Sequence, residues 1–445
     1  MFLSSDDAKA IADKVLAYSK ADACTVQIEG GLDQSLRFAR GGATTNLASA
    51  EASLRVSSHI GRRIGSCSIS HFDDEALAAA VARSEEIARM LPVDPDYVAP
   101  LGPQNYGFSN RYDEATANLH LDALADAAAR VIKEGARIGV DTFGCATTAR
   151  RFEAFATSAS LFAYERRSEI DLSATARNRA DAWSGWAGAH QFSADRLDAE
   201  QIARVACFKG AHDATPVDLE PGAYTVILEP DATTELAFWL MRTMEARAAD
   251  EGRSSFARPG GGALIGEKLF DEKLTIRVDP ADPLAPEAAV GFEGLPHRAR
   301  AFVENGVLTT LYRSRAWAQK TGSEPIPFAR NFVMSGGDAS IDDMVRSVRR
   351  GVLVTRFWYT NIVERKNLLL TGLTRDGNFL IENGRIVAPM RNMRFNQRLG
   401  DLFSNIKALG PTRRTWRAAG DGGGAPAAPA MLVEGFNFSS KSSGI

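Results

Sequence analysis

Cysteine is scarce and scattered. The chain holds four, Cys24, Cys67, Cys145 and Cys207, with no CxxC spacing and none beyond position 207. That pattern points away from a disulfide framework or a zinc knuckle and toward small core residues of a cytosolic protein. Long apolar runs are missing too: none reaches the roughly 18 residues that would span a bilayer. The opening MFLSSDDAKAIADKV meets two aspartates by residue 7. It lacks the apolar core of a secretion signal, so a cytoplasmic, non-membrane protein is expected. A surplus of either charge is also absent. The net charge of −3 and pI near 6.2 give no electrostatic footprint for nucleic acid.

Chemistry-bearing motifs are equally sparse. The six histidines, His59, His71, His120, His190, His212 and His297, stand singly, with no HxH or HxxxH pair. Zinc takes three or four N, S or O ligands, so each histidine is read first as a surface or packing residue. There is no GxSxG elbow, no P-loop and no GxGxxG after a strand. Gly260-Gly261-Gly262 lacks the Lys-Ser/Thr that would hold phosphate and reads as a flexible loop. Trp183, Trp186, Trp358 and Tyr359 read as core or rim aromatics. Asp342-Asp343 reads as the acidic start of a helix, complementing its dipole.

What is present is the balance of a globular protein, with 45% hydrophobic and 24% charged residues over 445 positions, long enough for two or three domains. Ser4-Ser5-Asp6 caps a helix over Ala8 to Ser19. Strands are expected at Cys24–Glu29, Gln34–Arg40, Glu51–Ser58 and Arg62–Ile69, with Gly30-Gly31 and Gly41-Gly42 as turns. An Ala-rich helix to Met90 and a proline-marked linker from 91 to 110 follow. The order then recurs: a helix from Asp122 to Gly135, strands at Thr142–Thr148, Arg151–Thr157, Ser160–Tyr164, Ser168–Ala176 and Trp183–His190, and a helix over Ala199 to Phe208. His190-Gln191-Phe192 before that helix echoes His71-Phe72 before the earlier one. This is either an internal duplication of a helix–meander–helix unit or convergence of antiparallel α+β topology. Beyond Val217, Asn305-Gly306 and Asn383-Gly384 mark hairpins, Val352–Tyr359 reads as a buried strand, and Asp421–Ala430 as a flexible segment before a last strand, Met431–Phe438. The expected class is α+β, divided as 1–105 (N-terminal α+β domain), 106–217 (middle α+β domain) and 218–445 (β-rich C-terminal domain).

The stretch from Tyr224 to Arg253 organises the C-terminal part. A short strand, Tyr224 to Leu228, breaks at Glu229-Pro230. Pro230 suits the first turn of a helix and Asp231 adds negative charge near its N-terminus. The helix is expected to carry Ala232, Leu236, Trp239, Leu240, Thr243 and Met244 in an apolar row and to end in Met244-Glu245-Ala246-Arg247-Ala248-Ala249.

Several segments together resemble the TldD/PmbA family, the modulator of DNA gyrase or TldD/TldE-type peptidase proteins. They are Leu36-Arg37-Phe38-Ala39, the run Gly61 to Ser68, Glu220-Pro221-Gly222-Ala223-Tyr224 through Pro230, Gly291-Phe292-Glu293-Gly294-Leu295-Pro296, Ile381 to Pro389, and Pro429 to Val433. In the catalytic branch the resemblance implies an H-E-x-x-x-H zinc motif on the helix after the E-P-G-x-Y-x-V strand, plus a C-terminal cysteine. A five-residue step sets two histidines about 140° apart on a regular helix, so local widening would be needed for both to meet one metal. Here Glu245 matches the motif Glu, while Met244 and Ala249 stand where the histidines would be, and no cysteine follows Cys207. The resemblance therefore implies the TldE/PmbA branch, with no metal, no cofactor and no catalytic residue of its own, Met244, Glu245 and Ala249 being vestigial positions. It also implies a heterodimer with a TldD-type catalytic subunit, or a homodimer, that handles peptide or unfolded-protein substrates. An extended substrate would be held by strand addition at Val352–Tyr359 or Leu368–Leu370. Two alternatives stand beside this reading. One is an active metallopeptidase whose metal site is rebuilt from scattered histidines and acids such as Asp250 and Glu251. The other is a gyrase- or toxin-related protein-binding regulator with no role in cleavage.

Overall fold

Three strands and two long helices come from the first hundred residues: α1 (Ser5–Tyr18), β1 (Ala23–Ala39), β2 (Gly42–Ile60), β3 (Arg63–Ile69) and α2 (Asp74–Met90). The computed structural model describes residues 1–178, 183–416 and 424–442. Ser4 starts α1 with a reciprocal capping box, its hydroxyl taking the Asp7 N–H while the Asp7 carboxylate takes the Ser4 N–H. Asp73 caps α2 in the same way on one side. Next come α3 (Glu114–Ala117), α4 (Leu121–Ile138), β4 (Asp141–Thr157), β5 (Phe162–Arg177), β6 (Ser184–Gln191) and α5 (Ala199–Gly210).

The strands are longer than the sequence suggests. β1 runs unbroken through Gly30-Gly31, the expected turn. Those glycines serve close approach instead: a Cβ on Gly30 would lie 2.7 Å from the Glu51 carbonyl oxygen, and one on Gly31 2.3 Å from that of Arg150. Likewise the two strands expected on either side of Ala149-Arg150 are one, β4, and those on either side of Glu165 to Arg167 are one, β5. The expected turn at Gly41 does form, with φ of 87° there.

All six strands form one antiparallel sheet in the order β3-β2-β1-β4-β5-β6. Each of the segments 1–105 and 106–217 supplies three, and the order is symmetric about the β1–β4 seam. Val26, Ile28, Leu36 and Phe38 alternate along one uninterrupted strand and share a face. The first two pack with α1 and α2, the last two with α4 and α5, so the four long helices cover that face. The opposite face is polar, carrying Glu29, Asp33, Glu153, Arg167, Glu169 and Asp171. Gly65 on β3 and Gly185 on β6 occupy matching places at the two outer strands. A Cβ there would fall 2.2 Å from Ser84 O and Ala88 N of α2, or 2.4 Å from Lys209 Cβ of α5.

The remaining elements are β7 (Gly222–Leu228), α6 (Pro230–Thr243), α7 (Ala246–Asp250), β8 (Ile276–Val278), β9 (Arg300–Glu304), β10 (Val307–Leu308), α8 (Arg315–Thr321), β11 (Val333–Met334), α9 (Ile341–Ser347) and β12 (Arg350–Val354). They continue as β13 (Arg356–Glu364), β14 (Leu369–Arg375), β15 (Phe379–Glu382), β16 (Arg385–Pro389), β17 (Met393–Arg398), α10 (Leu399–Ser404), β18 (Ile406–Leu409), β19 (Arg413–Arg414), β20 (Ala427–Ala428) and β21 (Met431–Lys441). A nine-stranded sheet runs β13-β14-β17-β21-β7-β12-β15-β16, with β18 beside β21, and a six-stranded one runs β10-β9-β8-β11-β20-β19. Helix α6 packs against β7 and β13 of the first and β20 of the second.

Both Asn-Gly hairpins form with positive φ at each central residue, 48° and 78° at Asn305-Gly306 and 50° and 76° at Asn383-Gly384. The expected strand Val352–Tyr359 is two, broken at Thr355, whose hydroxyl donates to Gly377 O at 2.7 Å. The flexible reading of Asp421–Ala430 needs correction. Asp421 to Gly423 lie outside the described residues, but 424–430 are buried, and β20 pairs with β11 and β19. The fold is α+β, with helix-covered antiparallel strands first and a strand-rich C-terminal part after. Among the described residues no helix is long and apolar enough to cross a membrane.

The Gly65 contact gives a direct test. Gly65→Val forces α2 off β3 and is expected to lower unfolding free energy by about 1–3 kcal/mol, read from the urea midpoint at unchanged slope.

Candidate functional site

Strand β7 lies between β12, parallel, and β21, antiparallel, so the chain leaves it from the interior of the sheet. Glu229 then caps α6 by position, and Pro230 takes its first turn, where no N–H is needed. Residues Ala232 to Phe238, Leu240 and Met241 are all buried. A helix covered on nearly every side is a core element, consistent with its place between two sheets.

The helix does not reach the motif positions intact. It ends at Thr243, whose hydroxyl donates back to Leu240 O at 2.8 Å. Met244 (φ −78°, ψ 61°) turns tightly, Glu245 N donating to Thr243 O at 2.9 Å around it, and Glu245 (φ −105°, ψ 125°) is extended. Tyr312 holds them there: its N–H donates to Met244 O and its carbonyl accepts from Ala246 N, each at 2.9 Å. This parallel bridge replaces the continuous helix expected through Ala249, and with it the need for helical widening. A new short helix, α7, then carries Ala246 to Asp250.

Met244 and Ala249 are both fully buried in the main C-terminal core, among Leu240, Phe256, Leu311 and Trp317. Their positions are filled core, not the wall of a cleft. A thioether and a methyl group offer zinc no suitable donors, so these residues do not fit the metal that the catalytic motif would hold. Glu245 is half-buried beside Tyr312. Burial first, and the Glu245 charge second, push the Tyr312 phenol up to about 12.

The other candidate ligands are dispersed or committed. Asp250 accepts from Trp317 Nε1 at 2.7 Å, and Glu251 pairs with Arg247 at 3.0 Å and with Arg253. His59 is buried against Tyr97, His190 bonds Asp171 at 2.7 Å, His297 lies between the carbonyls of Ala288 and Phe328, and His71 and His120 are exposed. His212 accepts from Ala214 N at 3.2 Å. Among the described residues no group of three or more His, Cys, Asp or Glu is placed to hold a metal ion. The expected substrate edges also shift. Val352–Leu353 in β12 and Leu369–Leu370 in β14 are paired on both sides, whereas the later half of the expected Val352–Tyr359 edge, from Arg356 on, falls in β13, the end strand of that sheet among the described residues.

A polar junction surrounds the start of α6. Lys209 of α5 contacts Glu229 at 2.7 Å and Thr355 at 3.0 Å. Arg356 pairs with Asp376, which also accepts from Ser184 of β6 at 2.6 Å, and lies over the Trp186 ring. Asp231 accepts from Trp416 N at 2.9 Å. Its role is not a simple dipole contact: desolvation pushes its carboxyl up to about 7, against the Trp416 N–H that lowers it. No motif signals this junction, because its members come from parts of the chain as far apart as Ser184 and Trp416.

Two outcomes are expected. Met244→Ala should cost about 2–5 kcal/mol, as for other buried Met truncations, while Glu245→Gln should stay within about 0.5 kcal/mol, both read by urea denaturation. Asp231 binds its proton more tightly folded than unfolded, so its contribution to stability is full below pH 4 and is lost as pH rises through about 7. Asp231→Asn should therefore stabilise the protein at pH 8 relative to pH 5, measured as the difference between the two variants' urea midpoints.

Residues 221–440 match the model of the PmbA/TldA metallopeptidase C-terminal domain. A "Metalloprotease" of Methanothermobacter thermautotrophicus is 27% identical over 158 residues, 33% of this chain and 34% of that one. A "Metalloprotease TldD homolog" of Buchnera aphidicola is 26% identical over 145 residues, 29% of each. The chain thus spans about a third of the length of the curated relatives it matches. Among solved structures, TldE from Thermococcus kodakarensis superposes with a TM-score of 0.85 at 16% identity, covering 98% of this chain and 100% of that one. A proposed DNA gyrase modulator from Bacteroides thetaiotaomicron gives 0.83 at 21% identity, covering 98% and 99%. One from Thermotoga maritima gives 0.81 at 17%, covering 96% and 99%. Through residues 221–440 and the shared scaffold, the chain belongs to the metallopeptidase-related TldD/PmbA family.

Proposed function

We propose that this chain is a non-catalytic, TldE/PmbA-like subunit of a TldD/TldE-type metalloprotease that cleaves peptides, with the zinc chemistry supplied by a TldD-type partner. The observation that carries the reading is the burial of Met244 and Ala249 in the core, 0% exposed each, at the two positions where the catalytic branch places histidines. Side chains that pack there have no donor atoms for the metal, and Glu245 alone has no polarised water to deprotonate. The resemblance in fold to TldE supports the same branch. On this reading the chain shapes the space in which the partner works. The polar face of the N-terminal sheet and the open edge of β13 are the surfaces that would meet substrate.

The purified chain is expected to retain no stoichiometric zinc after dialysis and to cleave no peptide alone. Adding a TldD-type subunit should bring activity that persists when Glu245→Gln is introduced here. Zinc held through dialysis, together with activity from this chain alone that Glu245→Gln abolishes, would instead establish an enzyme with a relocated site.

A further inference from the structure

A cavity of about 160 Å³ lies where the end of β6 meets the C-terminal part. Gln191 and Phe192 line it from the first part of the chain, and Leu284, Pro286 and Arg414 from the second. Arg196 lines it too, so two guanidinium groups share its wall with apolar side chains. The carboxylate among the lining residues, Asp113, is committed to starting α3: it accepts from Thr116 N at 2.8 Å and from Thr116 Oγ1 at 2.5 Å.

Neither arginine is in an ion pair among the described residues. Arg196 Nη1 donates to Pro283 O at 2.9 Å. Arg414 donates through Nε to His190 O and through Nη1 to Leu284 O, each at 2.8 Å, and lies 4.2 Å over the Phe192 ring. Carbonyls orient a guanidinium but bring only part of a charge, so both positive charges stay uncompensated. Desolvation, the largest cause, presses Arg414 down to about 10. The Arg111 and Arg196 charges act in the same direction, and the Glu169 and Asp171 carboxylates oppose them. Those two acids are engaged elsewhere, Glu169 with Arg167 at 2.9 Å and Asp171 with His190 at 2.7 Å. Arg414 Nη2 is enclosed and has no acceptor among the described residues. A buried donor left in that condition costs free energy, which a ligand oxygen recovers by accepting from it.

We propose that this cavity binds a small organic carboxylate, its oxygens accepting from Arg414 Nη2 and from Arg196 while its apolar body packs on Phe192, Leu284 and Pro286. A planar guanidinium fixed by two carbonyls and an aromatic ring is preorganised for a carboxylate, so little freedom is lost on binding. The size of the body follows from the volume, since an apolar cavity of about 150 Å³ admits benzene. With walls from both parts of the chain, the site lets its occupant tie them together. This inference stands apart from the subunit reading above, because it concerns a free small molecule and this chain alone.

Calorimetric titration of the full chain with benzoate tests it, with benzamide as the uncharged counterpart and inorganic phosphate as a compact anion. Benzoate is expected to bind with a Kd of about 1 mM or below, and the other two at least about tenfold more weakly. Benzoate should also raise the urea midpoint, as a ligand of the folded state does. Arg196→Gln, at an exposed position, should weaken benzoate about tenfold and leave the circular dichroism spectrum unchanged. Arg414→Lys keeps a charge but loses the planar fork, and should weaken it further. If that variant does not fold, Arg196→Gln and the benzamide comparison still decide. Benzoate that fails to saturate by about 10 mM overturns the proposal. So does benzamide bound as well as benzoate, an affinity indifferent to Arg196→Gln, or phosphate bound more tightly than benzoate. Each of these outcomes leaves the subunit reading intact.

Discussion

Helix α6 has almost no face for water, and that constraint organises the C-terminal half. With nine of its residues buried, it is stable only where apolar surface meets it on all sides. The nine-stranded and six-stranded sheets supply those surfaces, which is why short strands such as β11 and β20 are drawn into pairing so far from one another in sequence. The same demand decides the fate of the motif. Once the helix is enclosed, the residues at its end lie in the core, and methionine and alanine satisfy that environment in a way imidazoles would not without a metal. The backbone exchange with Tyr312 then ends the helix at a defined residue.

Charge and aromatic contacts take part in joining the N-terminal sheet to this core. Lys209, Glu229, Thr355, Asp376 and Ser184 meet where α5, β6 and the start of α6 converge. Buried ion pairs of this kind add little net stability over apolar packing, but removing one partner strands the other. Their effect is to allow one docking arrangement between the two parts and to penalise its neighbours. Asp231 marks how dry the junction is, since a carboxyl at a helix N-terminus would otherwise titrate low.

Local signals were read well from the sequence. The Ser4 cap, the Pro230 helix start, and the two Asn-Gly hairpins depend on residues within a few positions of one another, and they formed as expected. The failures share a cause, which is action at a distance. Gly30-Gly31 reads as a turn until the Glu51 and Arg150 backbones are seen to crowd it. The break at Met244 depends on Tyr312, and the burial of residues 424–430 on pairing with β11. That Met244 and Ala249 offer zinc no suitable donor was legible from their side chains alone. That those positions are core was not, because burial is a property of the whole fold.

The seam between β1 and β4 has a consequence for how the chain is made. Glu29 and Glu153 face one another across it, and the many residues between them must be synthesised before the pairing can close. During that interval α1, β1, β2, β3 and α2 can assemble as an island, with the inner margin of β1 lacking its partner. Non-local pairing of this kind slows folding and leaves a strand available to wrong neighbours. A nascent chain stalled between β1 and β4 would be far more prone to mispairing than the finished one, and the seam is the place to look for a requirement for chaperones.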